Sequence, residues 1–535
     1  MTPKYIFITG GVISGLGKGI TAASVGNILK AQGYSISLQK FDQYLNVDAG
    51  TLNPAEHGEV FVTDDGAETD LDLGHYERFC DINLTKTSSV MSGKIYQSIM
   101  EKERSGKFLG KTVQVIPHLT NEVKERIKKA LDTSKAEILI VEIGGTVGDY
   151  EGFHFLEAIR QMKFDAGERN VMYIHVGYVP YLQVTDELKT KPLQNSVHDL
   201  QAIGIQPNIL IARHDADLND GIVDKLALFT GVPKEAIIPL PTVESVYYVP
   251  EILAKAKIED VILKHFELKK KPYKNKEWSS LIQRIEGVSK KKVSIAMVAK
   301  YLGMKDTYLS VIEALKSSCW EQGVTLDLEW INSETLTKEN ISQLKKYSGI
   351  LVPGGFGARG IEGKILASHY ARKNKIPYFG LCLGLQVAVI DIAREVISPN
   401  ANSTEFDPKT PYPVIHIMPE QEKKMLNQDY GGTMRLGAYE CVLQDNTLSK
   451  GAYGTTTISE RHRHRYEFNN EYKDTLEDAG VVIAGTSPEG VLVEIIEYKK
   501  HPWFVGVQFH PEFKSRPTRP HPLFSGFIRA CLNHH

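Results

Sequence analysis

Tyr5 to Ile8 form an apolar run, and Ile8 to Ile20 reads Ile-Thr-Gly-Gly-Val-Ile-Ser-Gly-Leu-Gly-Lys-Gly-Ile, ahead of a helical pattern through Ile28 and Leu29. No other stretch constrains the fold so tightly. Gly11 to Lys18 reads as a phosphate-binding loop of the GxxxxGK kind, with five residues rather than four between Gly11 and Gly17. In such a loop small residues let backbone N–H groups surround phosphate oxygens while the lysine neutralises them. Gly19 replaces the Ser or Thr that ordinarily follows the lysine, so a metal ion accompanying the phosphates needs carboxylates from elsewhere. The alternative is a glycine-rich turn with an ordinary surface lysine.

The chain of 535 residues exceeds what one core sustains. Strand-like runs at Ser35 to Gln39, Ile138 to Ile143, Val171 to Val176 and Ile209 to Ala212 alternate with helical patterns, which predicts an α/β domain with a doubly wound, mostly parallel sheet over residues 1–266. Lysine-rich sequence marks a linker over 267–292, with one helix near Trp278 to Ile285. A second α/β domain of the same kind is expected over 293–535. A net charge of −2 gives no reason to expect nucleic acid as a partner. No run approaches the roughly 18 apolar residues that span a bilayer, so no membrane partner is expected. Five cysteines without a CxxC pair fit a reduced, cytoplasmic setting.

Two features of the first domain suit a metal and a triphosphate. Asp72 lies in an acidic turn, Glu68 to Arg78, and Glu142 ends the predicted strand 138–143. Magnesium on a nucleotide keeps water and takes one or two protein carboxylates, so Asp72 with Glu142 supplies what Gly19 cannot. The acidic turn also suits a solvated loop. Lys189 and Lys191, in the stretch Glu187 to Gln194, and Lys225 further on suit a triphosphate, or else a basic surface.

In the second domain, Pro377 to Gln386 reads as an apolar strand, a Gly-x-Cys-x-Gly turn at Cys382, and a helix from about Gln386. That is a nucleophile elbow carrying sulfur. A helix N-terminus favours the thiolate, and Gln508 to Glu512 supplies His510 with Glu512 two residues on to orient it. The glycines after Leu351 and the N–H of Leu383 offer oxyanion donors. Arg461 to Arg465 holds two histidines, but interleaved arginines repel a cation. Cys80, Cys319, Cys441 and Cys531 lack any comparable setting.

The runs Gly10 to Gly19, Glu56 to Val62, Asp70 to Arg78, Thr112 to His118, Glu142 to Asp149 and Lys189 to Pro192 resemble the CTP synthase family over nearly the whole chain. The second half is similar to class I glutamine amidotransferases. The resemblance implies a P-loop NTPase, dethiobiotin-synthetase-like domain followed by a flavodoxin-like glutaminase, making CTP from UTP, ATP and glutamine. It implies ATP contacts at Gly15, Leu16, Gly17, Lys18, Gly19, Ile20, Lys40, Asp72, Pro241, Thr242 and Val243, and Mg²⁺ at Asp72 and Glu142. UTP contacts fall at Ser14, Lys189, Thr190, Lys191, Pro192, Leu193, Gln194 and Lys225. The feedback inhibitor CTP shares Ser14 and the triphosphate residues, with Asp149, Tyr150 and Glu151 reading the product within the segment Asp149 to His154. Glutamine falls to Gly355, Leu383, Gly384, Leu385, Gln386, Glu405 and Arg465, and Pro54 and His57 form an ammonia gate. GTP as activator, a homotetramer and filaments belong to the same expectation. Gln43 and Tyr150 to His154 depart from the family pattern. Two rivals are a cobyric acid synthase type amidotransferase and a filament-forming homologue that has lost catalysis.

Overall fold

The computed structural model describes residues 2–300, 302–418 and 434–534. It divides into two compact units. One comprises Met1–Ala49 with Asp72–Ser279, and the other Gly50–Leu71 with Ser280–His535. The continuous first domain expected over 1–266 is therefore interrupted, because residues 50–71 pack with the second unit. The boundary falls within the helix Lys276–Glu286, which matches the one expected near Trp278.

The first unit is built on seven parallel strands, β1 (Lys4–Gly10), β2 (Ile36–Asp42), β3 (Ser89–Met91), β4 (Ile138–Ile143), β5 (Val171–Val179), β6 (Ile209–His214) and β7 (Ile237–Pro241), in the order β7-β6-β5-β1-β4-β2-β3. β1, β2 and β4 are buried along their whole length; β1 and β4 read as mostly apolar runs, whereas β2 also buries Ser37, Gln39 and Asp42. Lys40 and Glu142 are polar exceptions, and they stand opposite each other in the β2–β4 register. The sequence reading missed β3 and β7, the two edges. β7 carries Pro239 and Pro241, tolerated at an edge but a signal against a strand. Helix α1 (Lys18–Ala31) leaves the carboxyl end of β1 through the glycine-rich loop, where a parallel sheet presents its ligands.

The second unit holds a nine-stranded mixed sheet. Its strands are β8 (Lys292–Ala299), β9 (Thr325–Asn332), β10 (Gly349–Val352), β11 (Tyr378–Leu381), β12 (Arg435–Leu443), β13 (Thr457–His464), β14 (Val481–Thr486), β15 (Val493–Tyr498) and β16 (Phe504–Val507), ordered β9-β8-β10-β11-β16-β15-β14-β12-β13. The five from β9 to β16 are parallel and the remainder antiparallel. Apolar residues of both faces of this sheet form two cores, and the thiol turn follows β11 between them.

Candidate active sites

In the phosphate loop Gly15 and Gly17 have φ of 74° and 85°, left-handed values that favour glycine. The stem of Lys18 folds back across Gly10, where a Cβ would lie 2.7 Å from Lys18 Cδ, and Lys18 Nζ donates to Gly145 O at 2.7 Å. Burial lowers the Lys18 pKa, against the pull of Glu142. Asp72 opens helix α2 (Asp72–Cys80), and one turn on, Tyr76 donates from its hydroxyl to Glu142. Lys40 bridges the two carboxylates, donating to Asp72 and, at 3.2 Å, to Glu142.

A Cβ on Gly19 would overlap Asp72 Oδ1 and come within 3.3 Å of Glu142 Oε2. The carboxylates thus occupy the place a loop hydroxyl would take. Asp42 is buried beside Lys40 at 3.7 Å, with its Oδ2 lacking a hydrogen-bond partner, so three carboxylates gather around Lys40. Burial raises the pKa of Glu142, and Lys40 opposes it. Two hard carboxylate ligands beside the phosphate loop fit Mg²⁺. Gly19→Ser should therefore lower any metal-dependent nucleotide turnover at this loop on the order of a hundredfold by displacing Asp72. A Gly19→Ser protein whose nucleotide turnover is unchanged would refute this geometry.

Among the expected triphosphate residues, Lys189 pairs with Glu187, and Lys225 adds to the electrostatic pull on that same carboxylate. Lys191 lies over the Phe229 ring at 5.7 Å. It opens helix α4 (Lys191–Ala202), which follows α3 (Phe153–Ala166). Ser196 of α4 fills the space left by Gly11 and meets His175 Nε2 at 2.7 Å, while His175 Nδ1 meets Thr9 at 2.9 Å. The helix bearing Lys191 and Gln194 is thereby seated against the start of the phosphate loop. Gln194 donates to Thr190 Oγ1 at 3.0 Å and keeps a buried, unpartnered Oε1. Leu193 is core packing against Gly177. Thr242 accepts from Arg213 at 3.2 Å and donates to Asp215 at 2.5 Å, at the end of β7.

In the feedback segment, Tyr150 and Glu151 are exposed and Asp149 accepts from Thr146 N at 2.8 Å. His154 departs from expectation. It is buried between Tyr96 and Phe155, where burial pushes its pKa down to about 4. Gln43 donates to Gly144 O at 2.9 Å and fills the space left by the bare α-carbons of Gly145 and Gly152. The two departures from the family pattern thus touch each other.

In the second unit Cys382 has φ 51° and ψ −99°, a strained conformation at the turn between β11 and the helix Leu383–Val396. That helix starts directly after the cysteine, earlier than the expected Gln386, so Cys382 stands at its N-terminus. Cys382 and His510 both lie against Gly354, where a Cβ would sit 2.9 Å from His510 Cε1 and 3.7 Å from Cys382 Cβ. His510 Nδ1 donates to Glu512 Oε1 at 2.7 Å, and Gln508 Nε2 donates to Cys382 Sγ at 3.6 Å. By contrast, burial pushes the thiols of Cys80 and Cys319 up to about 12 and raises those of Cys441 and Cys531.

Burial pulls the His510 pKa down, but Glu512 and Cys382 outweigh it and raise it to about 10. A raised pKa stabilises the fold fully below the ordinary value of 6.5, and that contribution is lost as pH rises toward about 10. A labelled His510 should remain protonated at about pH 8 and titrate lower in Cys382→Ser. An imidazole titrating near its ordinary value in the intact protein would contradict this pairing.

A cavity of about 170 Å³ opens at the thiol, lined by Gly354, Phe356, Cys382, Arg463 and His510, and also by Pro54 and Val60 of the inserted segment. Of the two expected gate residues, Pro54 lines this cavity and His57 does not. Glu405 accepts the Gly357 N–H at 2.6 Å, and burial raises its pKa against the nearby Lys300 and Arg465. Gln386 donates to Tyr466 O at 3.0 Å. Arg461 and Arg463 are committed to Asp64 and Glu68 of the inserted segment at 2.6 and 2.8 Å, and His462 bonds to His464 at 3.1 Å. Sequence reasoning missed Tyr76, Asp42 and Gln508. Only Tyr76 carried a signal, its four-residue spacing from Asp72 on a helix.

A family profile described as CTP synthase N-terminus matches residues 4–268, and one described as glutamine amidotransferase class-I matches residues 304–530. The CTP synthase of Geobacillus kaustophilus is 53% identical over 99% of this chain and 99% of its own length. That of Clostridium kluyveri is 54% identical over 100% of this chain and 99% of its own. Among solved structures, the glutaminase domain of Trypanosoma brucei CTPS with bound acivicin is 39% identical, covering 45% of this chain and 94% of that one at a TM-score of 0.43.

Proposed function

The chain belongs to the CTP synthase family, and from that premise we propose that its two sites divide the conversion of UTP to CTP between phosphoryl transfer in the first unit and ammonia production in the second. The oxygen at C4 of uracil is a poor leaving group, so ATP phosphorylates it. The O4–P bond forms as the bond to the β-phosphate oxygen breaks. Lys18 and Lys40 offset the charge on the transferred group, and the loop N–H groups from Gly15 to Ile20 hold the phosphates. Asp72 and Glu142 would hold Mg²⁺, which would supply charge neutralisation for the phosphates. Lys189, Lys191 and Lys225 take the UTP triphosphate, and CTP competes for them while Tyr150 and Glu151 meet its other end. Ammonia then adds at C4 and phosphate departs.

In the second unit Cys382 Sγ attacks the glutamine carboxamide, and the His510 imidazolium gives its proton to the departing nitrogen, which leaves as ammonia. Neutral His510 then takes a proton from the water that hydrolyses the thioester, and glutamate is released. A free amino acid carries both charges, and Arg465 and Glu405 are the complementary pair for its carboxylate and ammonium. Ammonia is mostly protonated in neutral water and useless there as a nucleophile, so it passes to UTP without meeting solvent. GTP activation, a homotetramer and a cytoplasmic setting complete the proposal. Among the described residues no helix is long and apolar enough to cross a membrane.

The observation that carries this reading is the pair of carboxylates filling the space at Gly19, in a chain that also bears a Cys382–His510–Glu512 elbow. The test follows the ultraviolet absorbance change as UTP becomes CTP with ATP, Mg²⁺ and either glutamine or an ammonium salt. Both nitrogen sources should support turnover. Failure with both would overturn the reading, whereas an inert homologue with filaments alone predicts that outcome.

A further inference from the structure

Lys364 stands in the first turn of the helix Ile361–Asn374 and is wholly buried, yet it makes no ion pair among the described residues. An unpaired buried lysine costs stability, so its presence calls for a function. Its Nζ donates to Pro353 O at 3.1 Å. Lys300, just beyond β8 and also buried, donates to Phe356 O and, at 3.1 Å, to Gly357 O. Two ammonium groups thus hold three carbonyls of the glycine-rich segment that lies against Cys382 and His510.

A peptide is planar, so fixing its carbonyl fixes the direction of the N–H on the opposite side. Holding Pro353 O orients the Gly354 N–H. Holding Phe356 O orients the Gly357 N–H, which donates to Glu405 at 2.6 Å. A Cβ on Gly355 would crowd Lys300 Cε at 3.2 Å, and stand at ordinary contact distance from Leu383 Cδ2 at 3.6 Å and Lys364 Nζ at 3.8 Å. Glycines are conformationally permissive, and without these bonds the segment is free to turn a carbonyl toward the thiol. Burial, with Lys300 acting in the same direction, pushes the Lys364 pKa down to about 7, and an amine in either protonation state keeps an N–H for Pro353 O.

We propose that Lys364, assisted by Lys300, is a positioning residue that locks the backbone from Pro353 to Gly357 so that the Gly354 N–H, with that of Leu383, faces the oxyanion formed when Cys382 attacks glutamine. The proposal rests on reading Cys382 as the glutaminase nucleophile. Lys364→Met in the full-length protein should lower glutaminase kcat roughly ten- to a hundredfold, less than outright removal of an oxyanion donor. KM for glutamine should stay within about threefold. CTP synthesis from ammonium salts should be unchanged, and alkylation of Cys382 by iodoacetamide should slow by less than the fall in kcat, since Lys364 also acts electrostatically on that sulfur. The melting temperature should equal or exceed that of the unaltered protein, because an unpaired buried charge has gone. That combination separates positioning from a merely structural role. If Lys364→Met does not fold, Lys300→Met loosens the other end of the segment and should show the same fall in kcat at unchanged KM. An unchanged kcat, or a loss of kcat matched by an equal slowing of alkylation and a lower melting temperature, overturns the proposal. Hydrolysis of glutamine by Cys382→Ala would instead overturn the glutaminase reading and the proposal with it.

Discussion

Replacing Cys382 with alanine is expected to abolish CTP formation from glutamine while leaving formation from ammonium salts near its original rate. Only the acyl step uses the sulfur, and losing a nucleophile that acts as a unit with its base costs on the order of a millionfold in kcat. The strained turn at Cys382 and the His510–Glu512 bond at 2.7 Å serve that step alone. The paired measurement is CTP formation from each nitrogen source on one preparation. Retained glutamine-dependent synthesis would mean that another group performs the attack.

Lys18→Ala should have the opposite breadth and stop synthesis from either source. Lys18 lies in the loop that receives the phosphates, with its ammonium at Gly145 O. Removing it leaves charge on the transferred phosphoryl group uncompensated, and one such electrostatic contact is worth about a hundred- to a thousandfold. Glutamine hydrolysis measured without nucleotides should persist, since the thiol site owes nothing to this residue. Ammonia-dependent activity surviving within about threefold would refute the phosphate-loop assignment.

What the sequence revealed was local. The phosphate loop and the thiol elbow each lie within about ten consecutive residues, and turn chemistry of that kind is written in glycine spacing. Asp72 and Glu142 became legible through an absence, the missing hydroxyl at Gly19. Lys300 and Lys364 were silent because their partners are main-chain carbonyls, which leave no mark in a sequence. His154 looked like a neighbour of the product-reading residues, but the core claims it. Nor did any composition shift announce that residues 50–71 pack apart from the chain on either side of them, because their anchors, Asp64 and Glu68, meet arginines some four hundred residues away.

That excursion governs how the protein can be taken apart. The backbone passes from one unit to the other three times, after Ala49, Leu71 and Ser279. A single proteolytic nick in the lysine-rich stretch therefore leaves the two halves tied by two remaining strands of chain. A splice made in the same place would carry the thiol but not the rim of its own cavity. It would also take Asp64 and the Val62 carbonyl away from Arg461, which bonds to both. Recombining such halves between relatives requires transplanting the short inner segment together with the distant module it completes, so the heritable unit of the glutaminase is discontinuous.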